Sequence, residues 1–210
     1  MNGRAEPQSI VLVIDDDASL REALSSLFRS IGLQAKTFAS AAEFLQFKLP
    51  DAPTCLVLDV RLPGVSGLDF QAELAKAHID IPIVFMTGYG DIPMTVRAMQ
   101  AGAVTFLPKP FRDQEMLDAV QVGLERDRNR RKSAGDNAKL KTSFDTLTGR
   151  EQEIMGLVTS GLMNKQIAGE LGVSEITVKV HRGNVMRKMG AKSLAELVRM
   201  ADALGVRRTS

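Results

Sequence analysis

Five short apolar segments alternate with helix-like segments over the first part of the chain, and this alternation constrains the fold more than any other feature. The apolar segments predict strands at 10–14, 34–38, 55–58, 83–86 and 105–107. Helical periodicity predicts helices near 18–31, 40–48, 67–77, 91–102 and 113–126. Strands that alternate with helices indicate βαβ units, and therefore a parallel sheet that is covered on both faces.

The pattern changes in the C-terminal third, where the period is helical throughout. Thr148 and Glu151 have the spacing of a capping box, which predicts a helix from there to about residue 160. Further helices are predicted with Asn164, Ser174 and Ser193 at their starts, ending near Gly172, Met189 and Leu204. The second and third of these four helices are separated by three residues, which is typical of a helix-turn-helix.

Charge is divided unequally between the two parts. Through Glu125 there are 10 Lys and Arg against 16 Asp and Glu, whereas from Arg126 onward there are 17 against 9. A basic C-terminal part is compatible with nucleic-acid binding, although basic surfaces also occur for solubility alone. Residues 126–145 gather charge with Ser, Ala and Gly, which predicts a linker that is helical at its start.

Cysteine content and hydropathy restrict the cellular setting. Cys55 is the single cysteine, so an intrachain disulfide is impossible, and its apolar neighbours favour a buried, unreactive thiol. No apolar segment approaches the roughly 20 residues that a membrane-spanning helix needs. The N-terminus shows no signal-peptide pattern. We therefore expect a cytoplasmic protein with no membrane contact.

Acidic residues follow two of the central strands. Asp15 and Asp16 come directly after the first strand, and Asp59 comes after the third. Ligands of open parallel sheets collect at the carboxyl ends of strands, so these acids converge if the two strands are neighbours. Crowded carboxylates repel one another unless a cation compensates them, and Mg²⁺ suits such oxygen ligands. Each acid alone is compatible with an ordinary turn.

Two further polar residues end the remaining strands at the same edge. Thr87 ends the fourth strand and Lys109 ends the fifth. A metal, a carboxylate nucleophile, a hydroxyl donor and an ammonium together suit phosphoryl transfer, with Asp59 as the attacking group. Each of these residues alone has an ordinary structural explanation. The same explanation does not account for all five at successive strand ends, namely Asp15, Asp16, Asp59, Thr87 and Lys109.

Residues 8–126 resemble the receiver domain of bacterial two-component response regulators, on the motifs "VIDDD", "LVLDVRLPG", "VFMTGYGD" and "FLPKPF". The resemblance implies a flavodoxin-like, doubly wound sheet of five parallel strands in the order 2-1-3-4-5. It also implies that Asp59 accepts a phosphoryl group from a sensor histidine kinase. Mg²⁺ or Mn²⁺ would be bound by Asp15, Asp16, Asp59 and the backbone carbonyl of Arg61.

The same resemblance assigns a switch. Thr87 would hydrogen-bond the phosphoryl group, Lys109 would pair with it, and Phe106 would change orientation with Thr87 on activation. Tyr89 could follow the same motion. The Lys109–Pro110 peptide bond would be cis, as in typical members of the family.

The region from Leu147 to Met200 resembles LuxR-type DNA-binding domains of four helices, on "LTGREQEIMGLV", "NKQIAGELGVSEITVKVHRGNVMRKM" and "KSLAELVRMA". At about 100° per residue, the third helix buries Val178, Val185 and Met189 and turns Lys179 and Val180 outward. The predicted DNA contacts are Lys165, Ser174, Thr177, Lys179, Val180, His181, Arg182 and Arg187. Gly183 offers no side chain on that outward face, which weakens any transfer of base specificity from relatives.

Together the two parts resemble the FixJ/NarL class of regulators, and two segments are similar to those of regulators of styrene or toluene catabolism. We expect a receiver at 8–126, a linker at 127–145 and a helix-turn-helix domain at 146–206. The implied partners are a sensor histidine kinase, promoter DNA, RNA polymerase and a second copy of the chain. Transcriptional activation is favoured over repression by the resemblance.

Three other functions are compatible with parts of the sequence. An aspartyl-phosphate phosphatase usually has a second catalytic Asp two residues after the first, but Arg61 is there. A LuxR regulator that is gated by a small molecule would leave the acidic residues without a purpose. A receiver that only binds proteins would not need all five residues of the predicted phosphoryl-transfer site, yet all five are present. We therefore expect no enzymatic activity beyond self-phosphotransfer and hydrolysis of the aspartyl phosphate.

Overall fold

The computed structural model describes residues 8–88 and 92–206. The chain divides into two compact units, Met1–Arg131 and Lys132–Ser210. Tyr89 lies outside the described residues. Among the helices that are described, none combines the length and the apolar character needed to cross a membrane.

The first unit is built around a parallel sheet of five strands. These are β1 (Ile10–Ile14), β2 (Gln34–Phe38), β3 (Thr54–Asp59), β6 (Ile83–Thr87) and β7 (Thr105–Pro108). They are arranged in the order β2-β1-β3-β6-β7, which confirms the predicted topology. Two further strands, β4 (Arg61–Leu62) and β5 (Val65–Ser66), form a small antiparallel hairpin that the sequence did not predict.

Helices cover both faces of this sheet, as expected for βαβ units. They are α1 (Ala18–Ser30), α2 (Ala41–Leu45), α3 (Gly67–Lys76), α4 (Ile92–Gln100) and the first part of α5 (Asp113–Asp145). Alternate residues of β1 enter different cores because successive side chains of a strand point to opposite faces. Val11 and Val13 pack with Leu24 and Val120, whereas Leu12 packs in the cluster on the other face.

Helix α5 is longer than the sequence predicted. A helix was expected to end near residue 126 and to continue only into the start of a linker, but α5 is helical through Asp145. Residues 126–145 contain no proline and many Arg, Lys and Ala residues, which have high helix propensity. Within the first unit, the buried carboxylate of Asp127 accepts the backbone N–H of Thr54 at 2.9 Å.

The second unit contains the four predicted helices, α6 (Gly149–Thr159), α7 (Asn164–Leu171), α8 (Glu175–Met189) and α9 (Leu194–Leu204). The capping box of α6 is present, because Thr148 Oγ1 accepts the Glu151 N–H and Glu151 accepts the Thr148 N–H. The prediction that Asn164 caps α7 is wrong by one residue. Met163 is the N-cap, and its N–H donates to the Gln166 side chain at 2.8 Å.

Candidate metal centre and candidate nucleic-acid interface

Three carboxylates meet at the carboxyl end of the sheet. Asp15 and Asp16 follow β1, Asp59 ends β3, and one ligand oxygen from each lies within 4.8 Å of the other two. The sheet order explains this convergence, because β1 and β3 are hydrogen-bonded neighbours in register from Ile10 to Ile14. Asp15 and Asp59 are buried, whereas Asp16 is exposed.

Lys109 joins two of these acids from the end of β7. Its Nζ donates to Asp15 Oδ2 and to Asp59 Oδ2, both at 2.7 Å. The backbone N–H of Lys109 also donates to the Thr87 carbonyl at 2.7 Å, and the Lys109–Pro110 peptide bond is cis. Three carboxylates and one ammonium leave a net charge of −2, which suits a divalent cation with oxygen ligands.

Burial and charge compete at this cluster. Burial raises the pKa of Asp15 above its ordinary value, and the charge of Asp59 acts in the same direction, against the hydrogen bond from Lys109. Burial lowers the pKa of Lys109, but the two carboxylates outweigh it and the pKa lies above its ordinary value. Lys109 is therefore held as a cation between the two acids.

Backbone groups fix the orientation of the acids. The N–H of Asp17 donates to Asp15 Oδ1 at 2.8 Å, and the N–H of Arg61 donates to Asp59 Oδ1 at 3.1 Å. Asp17 itself caps α1 by accepting the N–H groups of Ser19 and Leu20. This explains the third acid of the run without any part in metal binding.

Glycine is required immediately behind the acidic cluster. The N–H of Gly67, at the start of α3, donates to the Val60 carbonyl at 2.8 Å. A Cβ at Gly67 would lie 2.4 Å from the carbonyl oxygen of Asp59. The close approach of α3 to the loop after β3 therefore depends on the absence of a side chain.

The two residues that were predicted to switch lie on neighbouring strands. Thr87 is fully buried at the end of β6, and Phe106 is half-buried on β7. The ring of Phe106 lies 6.2 Å from that of Phe85, which is its partner in the strand register. Phe106 is therefore less enclosed than a core phenylalanine such as Phe85.

The helix-turn-helix of the second unit consists of α7, a short turn and α8. Gly172 ends α7 in a left-handed conformation with φ of 64°, and Ser174 caps α8 by accepting the Thr177 N–H at 3.1 Å. Sequence reasoning missed a tertiary ion pair that fixes α8: Lys188 Nζ donates to Glu151 Oε2 at 2.6 Å. That hydrogen bond lowers the pKa of Glu151.

Five of the eight residues that were predicted to contact DNA are exposed. Val178, Val185 and Met189 are buried, as the periodicity predicted. The exposed ones among the predicted contacts are Lys165 on α7, Ser174 at the N-cap of α8, and Lys179, Val180 and Arg187 on α8. Ile176 is 76% exposed and was missed by the sequence reasoning, although an apolar residue in the first turn of α8 is a visible signal.

Three of the predicted DNA contacts are less accessible. Thr177, His181 and Arg182 are half-buried. Arg182 donates to Asn164 Oδ1 at 3.1 Å and so connects α8 to the start of α7. Met163, the N-cap of α7, is 70% exposed.

The two units match two separate protein families. Residues 11–121 match the response regulator receiver domain, and residues 145–201 match the luxR family of bacterial regulatory proteins. The chain therefore belongs to the response regulators that combine a receiver domain with a LuxR-type DNA-binding domain, as predicted. Receiver domains typically bind Mg²⁺, which agrees with the acidic cluster.

Several relatives are similar over almost their whole length. Nodulation protein W of Bradyrhizobium diazoefficiens is 60% identical over 96% of this chain and 89% of its own. Transcriptional regulatory protein FixJ of Azorhizobium caulinodans is 43% identical over 95% of both chains. The solved structure of the response regulator StyR is 51% identical, with a TM-score of 0.82 over 93% of this chain and 99% of its own.

Proposed function

We propose that this response regulator is switched by phosphorylation of Asp59 and then controls transcription by binding promoter DNA, as an activator. The observation that carries the proposal is the double contact of Lys109 with Asp15 and Asp59, beside a group of carboxylate oxygens that can hold a cation. A sensor histidine kinase is the donor that receiver domains imply. The domain limits we propose are 8–126, 127–145 and 146–206, and the protein acts in the cytoplasm.

In the phosphorylation step, an Asp59 carboxylate oxygen attacks the phosphorus of the kinase phosphohistidine. A P–O bond forms, the P–N bond breaks, and the histidine nitrogen leaves with the electron pair. Asp15, Asp16, Asp59 and the carbonyl of Arg61 would hold Mg²⁺ or Mn²⁺, which would neutralise charge on the transferring group when bound. Lys109 supplies further positive charge at the same edge of the sheet.

The proposed conformational switch depends on the negative charge and the hydrogen-bond acceptors that the phosphoryl group adds to Asp59. It replaces one negative charge on Asp59 with a group that carries nearly −2 and new acceptor oxygens. Lys109 then contacts the phosphoryl oxygens, and the Thr87 hydroxyl donates to one of them. Phe106 reorients together with Thr87. A near-complete switch from one state to the other needs about 5.5 kcal/mol of differential interaction.

The output is binding of promoter DNA by the exposed face of α8, with recruitment of RNA polymerase. Lys165, Lys179, Arg182 and Arg187 would provide cationic contacts to phosphates, and Val180 would contact base edges. Ser174, Thr177 and His181 would add hydrogen bonds.

Phosphorylation is expected to favour a homodimer. In α9, Leu197 is fully buried in the second unit, whereas Leu194 is 40% exposed, so part of the helix remains for a partner.

A combined binding and size experiment tests this function. The full chain is incubated with acetyl phosphate and Mg²⁺, and its affinity and stoichiometry on promoter DNA are compared with those of Asp59→Asn. The proposal requires tighter binding and a dimeric complex for the treated wild type only. Equal affinity with and without phosphate would contradict the switch, and a monomer on DNA under both conditions would contradict the dimer.

A further inference from the structure

A cavity of about 470 Å³ lies in the first unit at the amino end of the sheet, opposite to the end that carries the acidic cluster. It is bounded by the C-terminal part of α3, the segment before β6, the turn after α4 and one side of α5. Cavities of this volume commonly bind small molecules. No described residue of its lining belongs to the proposed phosphorylation site, so the cavity is a candidate for a separate ligand site.

The inner wall of this cavity is aliphatic. Leu74 of α3 and Ile83 of β6 are buried, and Ile79 and Ile81 are half-buried against the same core cluster. All four side chains also line the cavity. A ligand with a hydrocarbon body would gain free energy by covering this wall, because apolar surface would be removed from water on both sides.

Two hydrogen-bond donors converge on the same cavity. Gln71 is buried, and its Nε2 donates to the Ala101 carbonyl at 3.0 Å, which leaves its second N–H group for a bound molecule. Among the described residues, the guanidinium of Arg126 has one polar contact, a long one of 3.5 Å to the Ala103 carbonyl, and no carboxylate partner. An amide N–H and an uncompensated guanidinium together suit a carboxylate.

The other charges of the lining set the sign of the site. Arg130 lies one helical turn after Arg126, but its charge is shared between the buried Asp127 and Asp80, the latter at 3.7 Å. Asp80 also lines the cavity, with a side chain that is 78% exposed. Two guanidinium groups therefore face one carboxylate in the lining. Arg126 is the group that would attract an anion, and Asp80 is the group that would oppose it.

We propose that this cavity binds a small carboxylate with an aliphatic body. The carboxylate accepts hydrogen bonds from Arg126 and from the free N–H of Gln71, and the hydrocarbon body covers the wall formed by Leu74, Ile79 and Ile81. The site goes beyond the proposed function and does not depend on phosphorylation of Asp59, since the two sites lie at opposite ends of the sheet.

Hexanoate and its neutral counterpart hexanamide are the probes. The full chain, labelled with ¹⁵N, is titrated with each of them in the absence of acetyl phosphate, and the backbone N–H signals of Ala101 and Gly102 are followed by NMR. We expect saturable shifts with hexanoate at a dissociation constant on the order of 1 mM, as suits so small a ligand. Hexanamide is expected to bind about tenfold more weakly. The absence of saturable shifts with hexanoate up to tens of millimolar would overturn the proposal.

Three variants test how the carboxylate is recognised. Arg126→Gln is expected to weaken hexanoate binding about tenfold and to leave hexanamide binding unchanged. Arg128→Gln is the matched control, because it removes an exposed arginine of the same helix that contacts Ser9 and does not line the cavity. Asp80→Asn is expected to tighten hexanoate binding about two- to threefold, because it removes the opposing charge.

Each variant also has an outcome that contradicts the proposal. Equal losses of hexanoate affinity for Arg126→Gln and Arg128→Gln would mean that only net charge matters. An equal loss of hexanoate and hexanamide affinity in Arg126→Gln would mean that the carboxylate is not recognised. Weaker hexanoate binding by Asp80→Asn would show that the site does not select an anion. The same spectra report whether each variant is folded.

Discussion

Lys109 and Asp59 are 50 residues apart in the sequence, yet Lys109 Nζ lies 2.7 Å from Asp59 Oδ2 at the carboxyl end of the sheet. The same ammonium contacts Asp15 Oδ2 at the same distance. The lysine therefore offsets part of the repulsion among three carboxylates. Because a bound divalent cation would experience the same ammonium charge, the residue is expected to influence metal affinity as well as phosphorylation.

Removing this ammonium is expected to strengthen Mg²⁺ binding. Lys109→Gln changes the net charge of the cluster from −2 to −3, so the Mg²⁺ dissociation constant should fall about tenfold, or ~1.4 kcal/mol. Isothermal titration calorimetry measures the change. Lys76→Gln is the matched control, because it removes an exposed lysine at the far end of α3 and should leave Mg²⁺ affinity unchanged. Weaker Mg²⁺ binding by Lys109→Gln would show that the lysine does not oppose the cation.

Two glycines of α5 are expected to respond oppositely to the same substitution. A Cβ at Gly123 would lie 2.4 Å from Cys55 Sγ, whereas nothing lies within 4 Å of one at Gly135. Gly123→Ala should lower the free energy of unfolding by about 1–3 kcal/mol through overpacking. Gly135→Ala should raise it by about 0.5–1 kcal/mol through helix propensity. Urea unfolding measures both.

The Cys55→Ala background identifies the cause of the Gly123 effect. Without Sγ, the cost of Gly123→Ala should become smaller, giving a favourable coupling free energy between the two sites. A cost that is independent of Cys55 would contradict the close contact. Burial, together with the charge of Asp127, raises the pKa of the Cys55 thiol to about 12, so thiol chemistry should not interfere near neutral pH.

The interhelix ion pair of the second unit predicts a pH dependence. The hydrogen bond from Lys188 lowers the pKa of Glu151 in the folded protein, so ionised Glu151 stabilises the fold above its ordinary pKa. Glu151→Gln should therefore reduce the free energy of unfolding by about 1 kcal/mol at pH 7. The difference should disappear as the pH falls through the folded-state pKa, where wild-type Glu151 also becomes neutral.

Glu153→Gln is the control for this effect. Glu153 lies on the same helix and pairs with Arg150 at 2.8 Å, but its side chain is 50% exposed. An exposed pair typically contributes 0.2–1 kcal/mol or less, so this variant should stay close to the wild type at pH 7. If chemical unfolding gives equal losses for both variants, the buried position of Glu151 has no special effect.

Periodicity predicted the alternation of strands and helices, and the resemblance to receiver domains implied the strand order. The convergence of the acids follows from that order and from the rule for parallel sheets. The sequence did not predict the hairpin of β4 and β5, since two-residue strands have no recognisable pattern. The pairing of Lys188 with Glu151 was also missed, because it depends on how α6 and α8 pack in three dimensions. The partial burial of Arg182 has the same origin: its contact with Asn164 joins two helices.

Salt dependence tests the proposed DNA-binding face. Lys179→Ala should weaken DNA binding and reduce the slope of log affinity against log salt by about 0.9, as expected for one lost phosphate contact. Lys139→Ala removes the same charge from a residue of α5 whose side chain is 82% exposed and should leave the slope unchanged. Fluorescence anisotropy over a series of salt concentrations measures both. Equal slopes for the two variants would mean that only net charge matters and that Lys179 makes no direct contact.

The most direct test of the central claim is the intact mass of the protein after incubation with acetyl phosphate, with and without Mg²⁺, for the wild type and Asp59→Asn. We expect one phosphoryl adduct on the wild type that requires Mg²⁺ and is absent from Asp59→Asn. Circular dichroism establishes that both proteins are folded. A folded wild type without an adduct, or an adduct of equal yield on Asp59→Asn, would contradict phosphorylation of Asp59 at this site.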